Sequence, residues 1–284
     1  MKILVVIPVF NESKHILECL ISFHKQTYKN IKWILVNDSS TDNSKEIIEE
    51  FIKDKPAFHL INLVNKSEHR PGAKVVKTFY EGLNSLSWKE YDSIVKLDAD
   101  IIIPDNYFEI IIKELQNNPN VGIIGGLVYI KKGNNWVYEN ISNKKHVRGP
   151  IKTYRKECFI DIGGIRMTLG WDNLDILLAH MHHWEVKVIN DLCVKHVKPT
   201  AHVYKSTKAK KLGEYFYNIG LNKRLAFISC AKASWKDKSI YHFFISFKTF
   251  LSFEKLKKER AINDQEIKFI QKFRWNQIMK KFKY

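Results

Sequence analysis

The chain has 284 residues, of which 45% are hydrophobic and 13% aromatic, so it can bury a substantial core and is not a mainly disordered chain. Its net charge of +17 is uneven, because residues 205–284 carry 20 Lys and Arg against 6 Asp and Glu, which leaves 27 against 24 for the first 204 residues. This distribution favours a polyanion or an anionic membrane surface as the partner of the C-terminal segment.

Cysteine usage and the N-terminal residues indicate the compartment. The four cysteines are widely spaced and form no C-x-x-C pair, which is typical of free thiols in a reducing environment. The apolar run 3–10 is interrupted by Asn11 and Glu12 and lacks a cleavage site, so it favours a buried strand over a signal peptide. No stretch reaches 18 uncharged apolar residues. We therefore expect a cytoplasmic protein, with peripheral association at the inner face of the cell membrane as a further possibility.

Strand and helix patterns alternate through the first 130 residues. The predicted strands are 3–9, 31–36, 58–64, 93–97 and 121–130, and the predicted helices are 13–27, 44–52, 74–86 and 105–117. This alternation predicts an α/β fold with a mainly parallel sheet, whose ligands bind at the carboxyl ends of the strands.

The second half of the chain is less regular. In residues 136–164 the apolar positions follow neither the helical nor the strand periodicity. Residues 174–184 have a helical pattern, and residues 186–189 resemble a strand. Beyond residue 212 the chain becomes aromatic and basic, which predicts a domain over 1–204 and a mostly helical, basic extension over 205–284.

An acidic pair follows the fourth predicted strand. Asp98 and Asp100 flank Ala99, directly after the apolar strand that ends at Leu97. Carboxylates at i and i+2 can both reach one hard divalent cation, with diphosphate oxygens completing its coordination. Such a cation would neutralise charge on a departing nucleotide diphosphate. Taken alone, a D-x-D is more typical of an ordinary solvated acidic turn.

Polar segments also follow the first two strands, P-V-F-N-E at 8–12 and D-S-S-T-D at 38–42. Asp38 can accept a hydrogen bond from the ring N–H of a base, and Phe10 offers a stacking surface. Taken singly, Asn11 and Asp42 also fit helix caps, and Phe10 also fits a core residue.

A further acidic segment, G-W-D-N-L-D, occupies residues 170–175. Asp172 or Asp175 can serve as a general base that takes the proton of an attacking hydroxyl. Alternatively, Asp172 caps the helix that starts near Asn173.

Together these motifs resemble the inverting family-2 glycosyltransferases with the GT-A fold, over roughly residues 3–200. The motifs, in order, are I-P-V-F-N-E at 7–12, V-N-D-S-S-T-D at 36–42, R-P-G-A-K at 70–74, D-A-D at 98–100, and the glycine pair 163–164 before the acidic segment. The resemblance implies a Rossmann-like GT-A sheet, mixed and mainly parallel, flanked by helices.

The resemblance also implies a donor site for a nucleotide-diphosphate sugar and a metal site for Mn²⁺ or Mg²⁺. Arg70 and Lys74 lie where family members often have groups near the nucleotide, although solvated charges at a helix start are the alternative. The implied metal ligands are Asp98, Asp100 and the late histidine His196, although a lone histidine also fits a structural role. The implied donor-binding residues are Pro8, Val9, Phe10, Glu12, Asp38, Arg70, Lys74, Asp98, Ala99 and Asp100.

The family pattern favours Asp172 over Asp175 as the catalytic base. The family's aspartate commonly precedes a Gly-Trp or Gly-Tyr pair by eleven residues, and Asp172 precedes His183-Trp184 by eleven. Trp171 replaces the glutamate of the family's usual E-D pair, which leaves the acceptor class open.

The implied function is transfer of a sugar, with inversion, from a nucleotide-diphosphate sugar to an acceptor hydroxyl. A UDP-sugar is the favoured donor and a saccharide or a lipid-linked molecule is the acceptor, in the synthesis of surface polysaccharide, exopolysaccharide or glycolipid. Residues 8–13 contain no glycine, which argues against a dinucleotide-dependent oxidoreductase and against the alternative of a sugar nucleotidyltransferase. A basic nucleic-acid- or membrane-binding protein without catalysis would account for the extension but not for the carboxylates, so we expect no nucleic acid partner.

Residues 240–253, Y-H-F-F-I-S-F-K-T-F-L-S-F after Ile240, predict an amphipathic helix too short and too polar to span a bilayer. This helix fits an interfacial membrane anchor and a face packed against the catalytic domain equally well. A second basic helix is predicted within 256–284.

Overall fold

The computed structural model describes residues 1–64, 73–141, 143–198 and 205–282. The described chain forms two compact units, the first containing 1–64, 74–141, 143–165 and 182–198, and the second containing 73, 166–181 and 205–282. The second unit therefore includes the acidic segment at 170–175 as well as the C-terminal helices. The predicted domain boundary after residue 204 stays a prediction.

The first unit is built on a mixed sheet. In the described part of the chain its strand order is β3-β2-β1-β4-β8-β6-β9-β5, with β7 paired to β6. Strands β1 to β4 run parallel to one another, β8 is antiparallel to both β4 and β6, and β9 is parallel to β6. The strands are β1 Ile3–Val9, β2 Ile31–Asp38, β3 Phe58–Leu63, β4 Ser93–Leu97, β5 Ile101–Ile102, β6 Val121–Lys132, β7 Asn135–Tyr138, β8 Ile151–Arg155 and β9 Glu185–His196.

Helices accompany the sheet and make up most of the second unit. In the first unit they are α1 Ile16–His24, α2 Ser44–Ile52, α3 Ala73–Leu83, α4 Tyr107–Asn117 and α5 Lys156–Asp161. The second unit contains α6 Trp171–Met181, α7 Lys205–Asn218, α8 Lys223–Lys236, α9 Ile240–Lys255 and α10 Asp264–Phe282. Of the helices in the described ranges, none combines the length and hydrophobicity that a bilayer span requires.

The central parallel strands β1, β2 and β4 are buried on both faces, which explains their continuous apolar sequences. Every residue of β1 except Pro8 is buried. On one side of the sheet the ring of Trp33 stacks between Phe23, at 5.1 Å between centroids, and Phe58, at 5.4 Å. These contacts join α1, β2 and β3 in one core.

The α/β fold and the five strands predicted from the first half are confirmed, while three expectations about the second half need correction. The irregular segment 136–164 contains β7, β8 and α5. The helix predicted over 174–184 starts earlier, as α6 at Trp171, and the strand predicted over 186–189 extends through β9 to His196. The pairing partners of β8 and β9 are distant in sequence, and local periodicity does not report such pairing.

Candidate active site

The topology collects polar residues at one edge of the sheet. Strand β8 is antiparallel to β4 and to β6, and β9 is parallel to β6, so β9 runs in the same direction as β1, β2 and β4. The carboxyl ends of these four strands therefore lie at the same edge. They lead into Phe10 after β1, Asp38 at the end of β2, Asp98 after β4, and His196 at the end of β9.

Asp38 lies beside Lys74 at this edge. Asp38 Oδ2 accepts a hydrogen bond from Thr78 Oγ1 at 3.1 Å and forms an ion pair with Lys74 Nζ, also at 3.1 Å. The same Nζ lies 4.5 Å from the ring centroid of Phe10, within cation–π range. Phe10 is 47% exposed and is not a core residue. A carboxylate, a cation and an open aromatic ring thus adjoin one another, a combination suited to a flat heteroaromatic base.

Backbone and side-chain hydrogen bonds tie the loop after β1 to the loop after β2. Asn11 Oδ1 accepts a hydrogen bond from Thr41 N at 2.8 Å, and Asn11 N donates to Ser40 Oγ at 3.0 Å. Ser13 N donates to Asp42 Oδ2 at 3.0 Å. Asn11 therefore joins the two loops. Asp42 joins them as well, and its Oδ1 also accepts a hydrogen bond at 3.1 Å from the backbone N of Ser44, the first residue of α2. These ties stabilise the loop that carries Phe10.

Two hydrogen bonds hold Asp98 after β4. Its backbone N donates to Pro150 O at 3.0 Å, which fixes the loop to the start of β8. Its Oδ1 accepts a hydrogen bond from the ammonium group of the buried Lys96. Between the two acidic residues, Ala99 is buried at 5% exposure and belongs to the hydrophobic core. Ala99 thus anchors the acidic loop by packing.

Asp100 begins a chain of buried charged groups. His196 Nε2 lies 3.2 Å from Asp100 Oδ2, and His196 Nδ1 lies 3.4 Å from Glu139 Oε2. Arg148 in turn forms an ion pair with Glu139. Burial lowers the pKa of His196, but the hydrogen bond to Asp100 and the nearby carboxylates outweigh it, so this pKa is raised. Glu139 and Arg148 were not predicted from the sequence. They lie in segment 136–164, where the apolar residues follow neither the helical nor the strand periodicity.

The acidic loop contains an oxygen suited to a hard cation. Asp100 Oδ1 is buried and has no hydrogen-bond partner within the described part of the chain, which is costly for a carboxylate oxygen without a ligand. Carboxylate oxygens are the ligands that Mg²⁺ prefers, and imidazole also suits Mn²⁺. Among the described residues, no group of three or more His, Cys, Asp or Glu side chains converges in metal-binding geometry. The donor chemistry of Asp100 fits a divalent cation, and His196 contacts Asp100 directly.

Glu12 is also in this region of the first unit. Its Oε1 lies 2.8 Å from Lys198 Nζ, just beyond β9. Burial raises the pKa of Glu12, with the charge of Asp100 adding to the effect and Lys198 opposing it. The contact links the loop after β1 to the end of β9.

Asp172 lies in the second unit, in the first turn of α6, which begins one residue earlier at Trp171. The preceding Gly170 has φ +87°, and a Cβ there would lie 2.1 Å from the Tyr215 ring on α7. Burial raises the pKa of Tyr215 to about 12, Arg274 on α10 opposes this shift, and Asp172 adds to it. Asp172 and Arg274 therefore both lie near the Tyr215 hydroxyl.

The remaining residues that the sequence predicted for the site are Asp175, Val9, Pro8 and Arg70. Asp175 is buried at 1% exposure, and its Oδ1 accepts a hydrogen bond from Ile176 N. Val9 is buried within β1, and the neighbouring Pro8 is half-buried. Arg70 lies outside the described residues. The roles assigned to these side chains from the family resemblance stay predictions.

Comparison with known proteins identifies relatives of the first unit. A family model described as Glycosyl transferase family 2 matches residues 4–169, more than half of the chain. Glycosyltransferase GlyG of Streptococcus pneumoniae serotype 4 is 37% identical over 121 residues, covering 43% of this chain and 37% of its own length. A poly-beta-1,6-N-acetyl-D-glucosamine synthase of Staphylococcus epidermidis is 30% identical over 144 residues, covering 51% of this chain and 30% of its own length. The chain thus matches well under half the length of these curated relatives.

Solved structures share the fold at low sequence identity. Mannosyltransferase PcManGT from Pyrobaculum calidifontis, in complex with GDP-Man and Mn²⁺, matches with a TM-score of 0.62 at 14% identity, covering 92% of this chain and 77% of that one. S. aureus TarS 1–349 in complex with UDP matches with a TM-score of 0.59 at 16% identity, covering 93% and 95%. These are GT-A glycosyltransferase folds, as the sequence motifs predicted.

Proposed function

We propose that this chain, which belongs to glycosyl transferase family 2, transfers a sugar from a nucleotide-diphosphate sugar to an acceptor hydroxyl with inversion. The observation that carries the proposal is the convergence of Asp38, Asp98 and Asp100 at the carboxyl edge of parallel strands. Ligands of open α/β sheets bind at this edge. A donor that combines a base with a diphosphate can use a hydrogen-bond acceptor for the base and carboxylates for a bridging cation.

The nucleoside part of the donor is assigned to the first two strand ends. Phe10 supplies an exposed ring for stacking, and Asp38 supplies an acceptor for a ring N–H, which uracil and guanine both carry. Lys74, paired with Asp38, holds this carboxylate in position. A UDP-sugar is the favoured donor. The fold neighbours, solved with UDP and with GDP-Man, support a nucleotide-sugar donor without deciding between the bases.

The diphosphate part is assigned to Asp98 and Asp100, which would hold Mn²⁺ or Mg²⁺ with His196 as a further ligand. The buried Oδ1 of Asp100, which no described residue contacts by a hydrogen bond, supports this assignment, because a cation would satisfy it. When bound, the cation would offset negative charge on the departing nucleoside diphosphate. Glu139 would orient the His196 ring through its contact with Nδ1. PcManGT, a fold neighbour, was solved with Mn²⁺.

Asp172 is the proposed general base. An inverting displacement needs one group that takes the proton of the acceptor hydroxyl and needs no enzyme nucleophile. Asp172 is only half-buried, whereas Asp175 is buried and bonded to the backbone of its own helix. Accessibility to an acceptor therefore favours Asp172, as the spacing in the sequence does.

The acceptor is proposed to be a saccharide or a lipid-linked molecule in the synthesis of surface polysaccharide or glycolipid. The name of the Staphylococcus epidermidis relative, a synthase of a poly-N-acetylglucosamine, supports a polysaccharide as the product class. The matched residues span 30% of that relative's length.

A thermal-shift panel of UDP, GDP and ADP, each with Mn²⁺ and with EDTA, tests the donor assignment. A ligand that binds only the native state raises the melting temperature, by an amount equivalent to about 2.7 kcal/mol at a hundred times its Kd. We expect UDP with Mn²⁺ to give the largest shift and EDTA to reduce it strongly. Absence of a shift with every nucleoside diphosphate under both conditions would overturn the proposal.

A further inference from the structure

Two polar residues of helix α9, His242 and Ser246, lie on the helix face that is buried in the second unit. Its buried positions are His242, Ser246 and Phe250, spaced four residues apart on one face. Helix α7 packs on this face so closely that a Cβ on Gly213 would lie 2.1 Å from Ser246 O. Ser246 Oγ donates to His242 O at 2.7 Å, which satisfies the hydroxyl within the helix. The contact between α7 and α9 thus combines small and polar groups with aromatic ones, since the Tyr217 ring of α7 also lies 6.1 Å from the Phe250 ring.

The opposite face of α9 is apolar, and in the described part of the chain most of it is exposed. Ile240, Phe244, Phe247 and Leu251 follow the i, i+4, i+7, i+11 spacing of a single helical stripe. Ile240 is 76% exposed and Phe244 is 62% exposed. Large apolar side chains at this exposure along one stripe mark an interaction surface more often than chance scatter does.

Helix α8 widens this stripe. The Phe227 ring lies 5.2 Å from the Phe243 ring and 5.5 Å from the Phe247 ring, both edge-on, while Phe227 itself is 50% exposed. Trp235, near the turn between the two helices, is 88% exposed. We define the outer face of the α8–α9 hairpin as Phe227, Trp235, Ile240, Phe244, Phe247 and Leu251.

The charged residues around the outer face are predominantly basic. Residues 223–255 contain seven Lys and Arg against two acidic residues, Asp237 and Glu254. Asp237 is paired with Lys208 at 2.9 Å and Glu254 with Lys223 at 3.4 Å. The exposed cations in this range are Lys223, Arg224, Lys232, Lys236, Lys238, Lys248 and Lys255.

We propose that the outer face of the α8–α9 hairpin docks on the surface of an anionic lipid bilayer. Aromatic and aliphatic side chains on an uncovered helix face, bordered by lysines, complement an interface whose headgroups are negative and whose acyl boundary is apolar. No helix in the described ranges can span a bilayer, so the contact is interfacial. The proposal stands independently of the proposed transferase activity.

Sedimentation of the full chain with vesicles tests the proposal. The wild-type protein is expected to pellet with phosphatidylglycerol–phosphatidylcholine vesicles at low salt, and much less with phosphatidylcholine alone. The double variant Ile240→Ser/Phe244→Ser and the charge reversal Lys236→Glu/Lys238→Glu should each lower the partition coefficient by about tenfold or more. If the first variant does not fold by circular dichroism, Trp235→Ser replaces it with the same expectation.

Matched controls lie on the first unit. Ile160→Ser removes an apolar side chain that is 51% exposed on α5, and Lys131→Glu/Lys132→Glu reverses two exposed lysines on β6. Both should bind vesicles like wild type. The proposal is overturned if wild type stays in the supernatant with anionic vesicles, if the controls lose as much binding as the hairpin variants, or if light scattering shows instead a dimer that Ile240→Ser/Phe244→Ser dissociates. The UDP–Mn²⁺ thermal shift, measured on the same samples, reports separately on the transferase assignment.

Discussion

Lys74 Nζ lies 3.1 Å from Asp38 Oδ2, and the two side chains are 17% and 7% exposed. From the sequence, Lys74 was expected to lie near the nucleotide, where its charge could also meet a phosphate. Its ion pair with Asp38 and its position over the Phe10 ring associate it with the nucleoside side of the candidate site.

Replacing Lys74 should therefore weaken nucleoside binding and lower stability together. Lys74→Met leaves the Asp38 carboxylate largely buried without its cation, which should reduce the free energy of unfolding by about 1–3 kcal/mol. The affinity for uridine should fall in the same variant. Urea denaturation and calorimetry with uridine measure the two effects. Lys77→Met, one turn along the same helix and exposed, is the control and should change neither quantity. Unchanged stability in Lys74→Met would show that the ion pair is dispensable.

The increase in nucleotide affinity that Mn²⁺ produces should require Asp100. Asp100→Asn keeps the size of the side chain but removes the charge that a divalent cation needs. We expect the affinity for UDP measured with Mn²⁺ in this variant to fall to the value measured in EDTA. Asp105→Asn, an exposed acidic residue just before α4, should retain the full Mn²⁺ effect. A normal response to Mn²⁺ in Asp100→Asn would remove this residue from the metal site.

Asp172 should be required for turnover but not for donor binding. Asp172→Asn removes the proton acceptor, and general-base catalysis typically contributes about 10²- to 10⁴-fold, so turnover should fall by that order. The affinity for UDP should barely change. Asp175→Asn should be milder in turnover, although Asp175 is buried and the variant needs a parallel melting curve. An inactive Asp175→Asn beside a nearly normal Asp172→Asn would reverse the assignment.

The contribution of Asp42 to the free energy of unfolding should depend on pH. Partial burial raises the pKa of Asp42, but hydrogen bonds from Ser44 and Ser13 lower it from an ordinary value of 3.8 to about 2. A lowered folded-state pKa contributes stability that is complete above the ordinary value and is lost as the pH falls through about 2.

Asp42→Ala should consequently lower the free energy of unfolding by about 1–2 kcal/mol at pH 7. The difference from wild type should shrink as the pH falls from about 4 to about 2. Urea denaturation at several pH values measures it, with the exposed Asp54→Ala as the control. A difference that stays constant across this pH range would mean that the carboxylate charge is not what joins the loops.

The strands that define the candidate site were predictable because both of their faces are buried. Continuous β-branched runs such as Ile3–Val9 produce a signal that needs no knowledge of the neighbours. Strand β8 was missed because Ile151–Arg155 is a short antiparallel insertion, whose pairing with β4 and β6 comes from residues far away in sequence. Strand β9 was predicted too short because Asn190 and Asp191 interrupt its apolar pattern.

The candidate site itself was predictable only in part. Acidic residues that directly follow a strand, such as Asp98 and Asp100, can be found from the sequence because strand ends carry ligands. Their partners cannot, since Glu139 and Arg148 meet His196 only through tertiary folding. Likewise, nothing in the local sequence indicates that Tyr215, forty-five residues after Gly170, packs against the loop before Asp172.

Release of nucleoside diphosphate from a panel of UDP- and GDP-sugars, with water in place of the acceptor, tests the central claim most directly. We predict that the wild-type protein with Mn²⁺ releases UDP from at least one UDP-sugar, and that EDTA or Asp100→Asn abolishes the release. ¹H NMR of the freed sugar should show the anomeric configuration opposite to that of the donor. Donors that remain intact with wild type and Mn²⁺, or a product that retains the donor's configuration, would contradict an inverting, metal-dependent glycosyltransferase.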